Sequence, residues 1–443
     1  MKTRTLLAGI VLCARLDSGP AFAITSPDSL ASPDQPAAGS AAPPQAGDVT
    51  AADFTSGLSL RDALTATLRA SPRLAAYSWE VRSSEAKVLQ AGLRPNPELS
   101  INPENFVGSG DFSRQAQYQN TLQLSQLIEL GDKRALRTEA AAAVRERTAV
   151  EYESTRVEVL AATTVDFIDV VGAQEEVRLA QVALAQAEGL VKAVGQRITA
   201  SVGSPLEQKR AQVLAARAGN AVRQATRTLD VAKQKLVANW GSRGAVVGPA
   251  TGDVFSTHPL PPLASLLERI DGAPERRIAV AEEAVRAAEA ALIRSRRVSD
   301  VVVSGAWRQG RDWDDQSVVA AVSFPLKIFD QSQGDIAASD AQTERSKVET
   351  TSVEVRLRAV VFGLYQEIVQ ARDVAESMTR EIVPRTEEAV ALARTGFAQG
   401  LYSQLDLLDA QRTLVEVRRE HIQAGTRYHR LVAEVEKLLG TPL

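Results

Sequence analysis

One nine-residue pattern occurs twice in this chain. Residues 403–411 read SQLDLLDAQ, and residues 204–212, 199 positions earlier, read SPLEQKRAQ. Ser, Leu, an acid, Ala and Gln recur at the same offsets. With that offset held, Trp240 and Gly241 fall on Leu439 and Gly440, and Ser125 comes within one residue of Ser323. Upstream, Ser71 and Pro72 match Ala273 and Pro274 at an offset of 202. The 443 residues are therefore two copies of one unit, and the fold must use that unit twice. A loop insertion between the matched points accounts for the drift in offset.

Each copy reads in the same order. A helical stretch from Ser59 to about Leu93 is interrupted at Ser71–Pro72, because a residue before proline avoids helical geometry. Two strand-like runs follow, Glu98–Phe106 and Gln115–Leu130, around the turn cluster at 108–111. The second run alternates. Ala116, Tyr118, Leu122, Leu124, Ile128 and Leu130 form one side. Gln115, Gln117, Gln119, Thr121, Gln123, Ser125 and Glu129 form the other. Alternation over this length predicts a strand with one apolar and one polar face. A glutamine-rich face suits a strand that looks into a water-filled pore.

From Lys133 to about Ala200 the pattern is helical, with Val170, Val177, Leu184, Val191 and Ile198 seven apart, which predicts a supercoiled helix. Gly203–Pro205 breaks it, and a second helix returns from about Leu206 to Trp240. In the second copy, residues 263–297 are helical, Val301–Gln309 and Ser317–Leu326 are strands, and Gly334–Gln399 is the long helix. Pro384 inside it predicts a kink or restart near Arg380–Pro384. The last helix runs from Ser403 to Leu439, with Gly440 as its cap.

The ends and joints complete the organisation. Lys2 and Arg4, the apolar run Leu6–Ala14 and the small–large–small site Ala21–Ala23 predict a signal peptide at 1–23. Cys13, the only cysteine, lies inside it, in a context that argues against lipidation. An Ala- and Pro-rich linker at 24–57 leads to a first repeat at 58–241, with its strand hairpin at 98–130. A Gly- and Pro-rich connector at 242–262 precedes the second repeat at 263–443, with its hairpin at 301–326.

Four strands cannot close a membrane barrel, and an open edge in lipid leaves backbone groups unpaired. The strands must be shared. Two chains give eight strands and no real channel; three give twelve around a water-filled lumen. The expected fold is thus an internally duplicated α+β membrane protein. A trimeric, twelve-stranded transmembrane β-barrel, four strands per protomer, is continued by a long α-helical coiled-coil tunnel in the periplasm.

Residues 95–97 (PNP), 126–134 (QLIELGDKR) and 405–411 (LDLLDAQ), with the duplication, make the chain similar to the TolC family of outer-membrane efflux ducts. The likeness covers about 58–441 and is greatest to the branch serving cobalt, zinc and cadmium exporters. It implies a homotrimer in outer-membrane lipid of a Gram-negative bacterium, a periplasmic adaptor, and an inner-membrane pump of the resistance-nodulation-division type. It also implies a periplasmic gate at Asp406 and Asp409. The spacing agrees, since i and i+3 share a helix face. Two carboxylates about 6 Å apart repel by roughly 3 kcal/mol at an effective dielectric near 20, which favours splaying or proton uptake. Glu207 and Arg210 hold the corresponding places in the first copy. The family locks its closed mouth with tyrosine and arginine bridges near this tip; here Phe397 and Tyr402 occupy the neighbouring places, so that lock is not carried over.

Other features point to less. His258, His421 and His429 read as ordinary surface residues; two histidines eight apart on one helix make a poor metal site. Trp307, Trp313 and Tyr118 suit a membrane-interface belt. A net charge of −3 leaves no basic footprint for nucleic acid. No metal site, cofactor fingerprint, phosphate-cradling loop or nucleophile–base pair is present, so the chain does not read as an enzyme. The competing class is a secreted or periplasmic coiled-coil adaptor or scaffold without a pore. It shares the helical hairpins but has no use for the strands.

Overall fold

A computed structural model describes residues 57–104, 118–199, 204–242, 247–310 and 315–443. The signal peptide, Cys13, nearly all of the linker, the turn at 108–111, the first residues of the Gln115 run and Trp313 lie outside them. The elements are β1 (Leu58–Ser59), α1 (Leu60–Ala70), α2 (Pro72–Ala91), β2 (Glu98–Glu104), β3 (Gln119–Ile128), α3 (Lys133–Thr199), α4 (Pro205–Ala238) and β4 (Ala250–Thr251). There follow α5 (Leu263–Glu268), α6 (Pro274–Ser295), β5 (Val301–Gln309), β6 (Gln316–Ser323), α7 (Gln333–Ser377), α8 (Val383–Ala398) and α9 (Gln404–Leu439). Among the described residues no helix is long and apolar enough to cross a membrane.

The repeat is legible in burial. In the long helices ERTAVEYES at 146–154 aligns with ERSKVETTS at 344–352, an offset of 198. At that offset Thr148 and Ser346, Val159 and Leu357, Thr163 and Val361, and Val170 and Ile368 are all buried. Nearer the tip the offset becomes 199, pairing Val194 with Ala393. The extra residue sits in a wide π turn, Met378–Ile382, between α7 and α8. A π turn takes up one residue without ending a helix, so this step in the drift is a bulge inside a helix rather than a loop insertion. Pro384 lies in the first turn of α8, where its missing N–H costs little.

The two repeats do not bury their long helices equally. Helix α3 packs against α2 and α4 of its own repeat and against α6 and α9 of the other. Ion pairs reinforce the crossing, Arg147 to Glu282 at 2.8 Å and Arg419 to Glu176 at 3.5 Å. Among the described residues helix α7 packs chiefly against α6 and α9, with α5 beside them, all of its own repeat. Its flank Val348, Val355 and Phe362, spaced by seven, is exposed. The equivalent α3 positions, Val150, Val157 and Thr164, are partly covered. The Val170–Ile198 heptad line is also corrected. Only Val170 on it is fully buried, while Leu179, Ala187, Leu190 and Val194 carry the seam towards the tip. A helix packed on several sides has no single stripe.

The four longer strands form one antiparallel sheet in the order β2-β3-β5-β6. Its register puts Leu99, Leu124 and Gly305 in one row, and Ile101, Leu122, Trp307 and Val318 in the next. These share one face with Val303 and Val322, and they are the exposed side chains: Leu99 64%, Leu124 54% and Val318 84%. The opposite face carries Ser100, Thr121, Gln123, Ser125 and Ser304 beside small or apolar residues such as Val302, Ala306, Val319 and Ala321, with Thr121 only 6% exposed. One face is thus mainly apolar and exposed, and the polar side chains gather on the other, the reverse of a sheet on a water-soluble core. Among the described residues strands β2 and β6 are its unpaired edges.

The connector at 242–262 holds more structure than its composition suggests. Ala250 and Thr251 pair in parallel with Leu58 and Ser59. Val247, Ala250 and Val254 are buried with Leu58, Phe167, Val170 and Leu236 in one core cluster. The segment then crosses α9 at Gly425, where any Cβ would overlap the Val254 carbonyl oxygen. Glycine there allows close backbone contact.

Candidate functional site

The tips of the two helical hairpins meet. Ser403 caps α9, with its Oγ accepting from the Asp406 N–H at 3.2 Å. Asp406 Oδ2 in turn accepts from the Ser403 N–H at 2.9 Å and the Ser403 hydroxyl at 2.7 Å. Ser204 and Glu207 build the same reciprocal cap on α4, so the acid shared by the two nine-residue patterns is a capping-box residue. Hydrogen bonds from the Ser403 hydroxyl and N–H hold the Asp406 carboxyl below its ordinary range. Within one chain, then, Asp406 keeps its charge more firmly than a free carboxylate.

Asp406 and Asp409 are both exposed, with Leu407 buried and Leu408 half-buried between them. Leu408 packs on Leu190, Val194 and Ala211 of the first hairpin, which turns the two carboxylates away from that contact. Arg210 is exposed, and among the described residues no ion pair joins it to either aspartate.

The turn into α9 is closed by local chemistry. Gly400, at φ 77°, follows α8. Its N–H donates to the Phe397 carbonyl at 3.1 Å, and the Leu401 N–H donates to the Gly396 carbonyl at 2.8 Å. This is a Schellman closure. It brings the Tyr402 ring against Gly396, where a Cβ would overlap the ring edge at Cδ2. Phe397 takes the Arg197 guanidinium over its face at 5.1 Å, a cation–π contact between the two hairpin ends. Arg197 was missed in the sequence; no linear pattern relates it to a residue 200 positions away.

His258 is exposed, as expected, whereas His421 and His429 are partly buried. All of them lie where the connector crosses α9. His421 stacks on Phe255 at 4.4 Å between centroids, with its Nε2 2.9 Å from the Thr379 hydroxyl. The Tyr428 hydroxyl accepts from the His258 N–H at 3.1 Å and donates to the His258 carbonyl at 3.2 Å. His429 has a buried Nε2 without a hydrogen-bond partner. Burial pushes the pKa of both His421 and His429 down, with Asp253 opposing in each case and His258 adding to the fall at His429. Among the described residues no cluster of His, Cys, Asp or Glu could hold a metal ion.

The arrangement matches known proteins at three levels. A family model described as outer membrane efflux protein fits residues 63–242 and 272–441. The cobalt-zinc-cadmium resistance protein CzcC of Cupriavidus metallidurans is 29% identical over 86% of this chain and 90% of its own length. The nickel-cobalt-cadmium resistance protein NccC of Alcaligenes xylosoxydans xylosoxydans is 26% identical over 67% of each. Among solved structures, CusC superposes with a TM-score of 0.74 at 14% identity, over 88% of this chain and 93% of that one. The MtrE outer membrane channel of Neisseria gonorrhoeae, in its open state, superposes at 0.69 and 16% identity, over 89% and 93%.

Proposed function

The chain belongs to the outer membrane efflux protein family, and from that premise we propose that it is a passive homotrimeric duct for heavy-metal cations. An inner-membrane pump of the resistance-nodulation-division type, working through a periplasmic adaptor, delivers them. The observation that carries the duct is the inside-out sheet with two unpaired edges. Strand β2 runs antiparallel to β6 of an adjacent copy if copies join edge to edge, so a closed barrel forms without a break in pattern. The apolar face then meets outer-membrane lipid and the polar face lines water. A scaffold in water has no use for such a sheet.

The repeat supports the ring. Within the chain, α6 of the second repeat covers α3 of the first. By the same relation α2 of one copy covers α7 of the next, which would bury the flank Val348, Val355 and Phe362. The metal preference rests on CzcC and NccC, and the pump selects the cargo. At the periplasmic end, three copies of Asp406 and Asp409 gather six carboxylates near one axis as the gate. Glu207, Arg210 and Tyr402 act as its neighbours.

Reconstitution in a planar bilayer tests the duct. Discrete current steps from a detergent-extracted trimer are expected. A protein soluble without detergent that gives no current overturns the reading in favour of the scaffold.

A further inference from the structure

The polar face of the sheet carries one positive charge that the duct reading has not used. Following the register across the strands puts Asn102, Thr121, Arg308 and Ser317 in one row. Arg308 alternates with Trp307, so it lies on the face opposite the apolar one. Its Nε donates to the Thr121 hydroxyl at 3.4 Å, which holds the guanidinium over β3, within the sheet and away from both edges. Among the described residues of β3, β5 and β6 it is the only charged side chain. The other charges on this face are on β2: Glu104 opposite Gln119, one row farther from the helices, and Glu98 opposite Ser125, two rows nearer. Arg308 stands seven residues beyond Val301, where β5 leaves the helical part. At about 3.4 Å per residue, that is the far end of the lumen.

We propose that Arg308 sets the charge selectivity of the outer end of the duct, three copies forming a cationic ring that reduces the lumen's preference for cations. The proposal rests on the trimeric duct reading. Without Arg308 the described polar face has only Glu98 and Glu104, so its net charge per chain changes from −1 to −2. A charge on a low-dielectric wall acts on the ions passing it. Three charges on the order of 10 Å from the axis, partly screened, alter the ratio of cation to anion permeability by roughly twofold. Arg308 thus opposes Glu98 and Glu104 and keeps the exit from becoming a trap for the cations it releases.

The test is the reversal potential of single channels in a KCl gradient. Arg308→Gln is expected to raise the permeability ratio of potassium to chloride about twofold, and Arg308→Lys to leave it near wild type. A second variant removes the question of folding. Arg308→Cys, in a Cys13→Ser background, is assembled first and then labelled with aminoethyl methanethiosulfonate, which restores a positive charge in the finished channel. Reversal of the shift on labelling supports the ring. Conducting channels whose ratio is the same for wild type, Arg308→Gln and the labelled and unlabelled cysteine form overturn it and leave the duct standing. Absence of any channel from wild type overturns the duct and the ring together.

Discussion

Glu207 and Asp406, 199 residues apart, close the same capping box on the two helices that rise from the tips, α4 and α9. Asp409 has no such tie, and its counterpart in the first repeat is the cation Arg210. The acidic pair on α9 therefore joins one structural carboxylate to one free one, and the two separate by mutation. Asp409→Asn should raise single-channel conductance while leaving the melting temperature unchanged. Asp406→Asn should raise conductance and also loosen the first turn of α9, seen as faster hydrogen exchange at residues 404–408. Unchanged conductance in both variants removes the aspartates from the gate.

The same cap fixes how the tip answers to acid. Asp406 titrates below its ordinary value of 3.8 in the folded chain because Ser403 donates to its charged form. Its stabilising contribution is present above that ordinary value and is lost as pH falls through the lowered one. Ser403→Ala removes the donor hydroxyl and the N-cap, at a cost of roughly 1 kcal/mol. It should move the Asp406 titration upward in carboxyl-carbon NMR. A titration that stays put would show the hydrogen bonds to be absent in solution.

Gly396 and Phe397 hold the turn from two sides. Gly396→Ala drives the Tyr402 ring off α8, and Phe397→Ala removes the platform under Arg197. Each should increase proteolytic nicking within 396–403 while leaving the melting of the helical body unchanged. Equal protection in wild type and both variants would mean that neither contact secures the turn.

The connector crossing gives a pH-dependent term of the opposite chemistry. His429 is buried in its neutral form, with its pKa held below the ordinary imidazole value of 6.5. The charged groups facing it are His258, which pushes the pKa down, and Asp253, which opposes. A depressed base contributes its stability above 6.5 and loses it as pH falls from there through the folded value. The urea midpoint should fall between pH 7 and pH 5, and His429→Gln should flatten that fall. Gly425→Ala tests the crossing itself. Overpacking against the Val254 carbonyl should cost about 1–3 kcal/mol and lower the urea midpoint at every pH.

Much of this was legible in the residues, for identifiable reasons. The alternation of Leu122 and Leu124 with Gln123 and Ser125 survives folding because strand period is local. The break at Ser71–Pro72 and the capping glycine Gly440 are equally local. What stayed hidden depends on contacts between distant segments. The seam through Leu190 and Val194 is chosen by the neighbouring helices α4 and α9, and the Arg197–Phe397 contact joins residues 200 apart. The connector reads as loop by its Gly and Pro, yet Gly425 on α9 gives it a seat no composition reveals. His421 and His429 follow the same logic, since an imidazole looks polar until a strap is laid over it.

The asymmetry between α3 and α7 leads to a prediction about assembly. Equivalent residues on the two helices bury equally along the inner seam, as Val159 and Leu357 do. They differ on the outer flank, where Val157 is partly covered and Val355 stands 63% exposed. Only an added partner makes the two alike, and the repeat itself points to α2 of the next copy as that partner. Val355→Asp puts a charge where an apolar seam would form, but where one chain alone leaves solvent. It should therefore cost the single chain little and the assembly much. The expected result is a chain of wild-type helicity by circular dichroism that runs as monomer in detergent by light scattering, while wild type runs as trimer. Asp introduced at Glu349, an exposed α7 position already acidic, serves as the control and should assemble normally. A Val355→Asp protein that remains trimeric would show that α7 faces water in the assembly and that copies meet through the sheet edges alone.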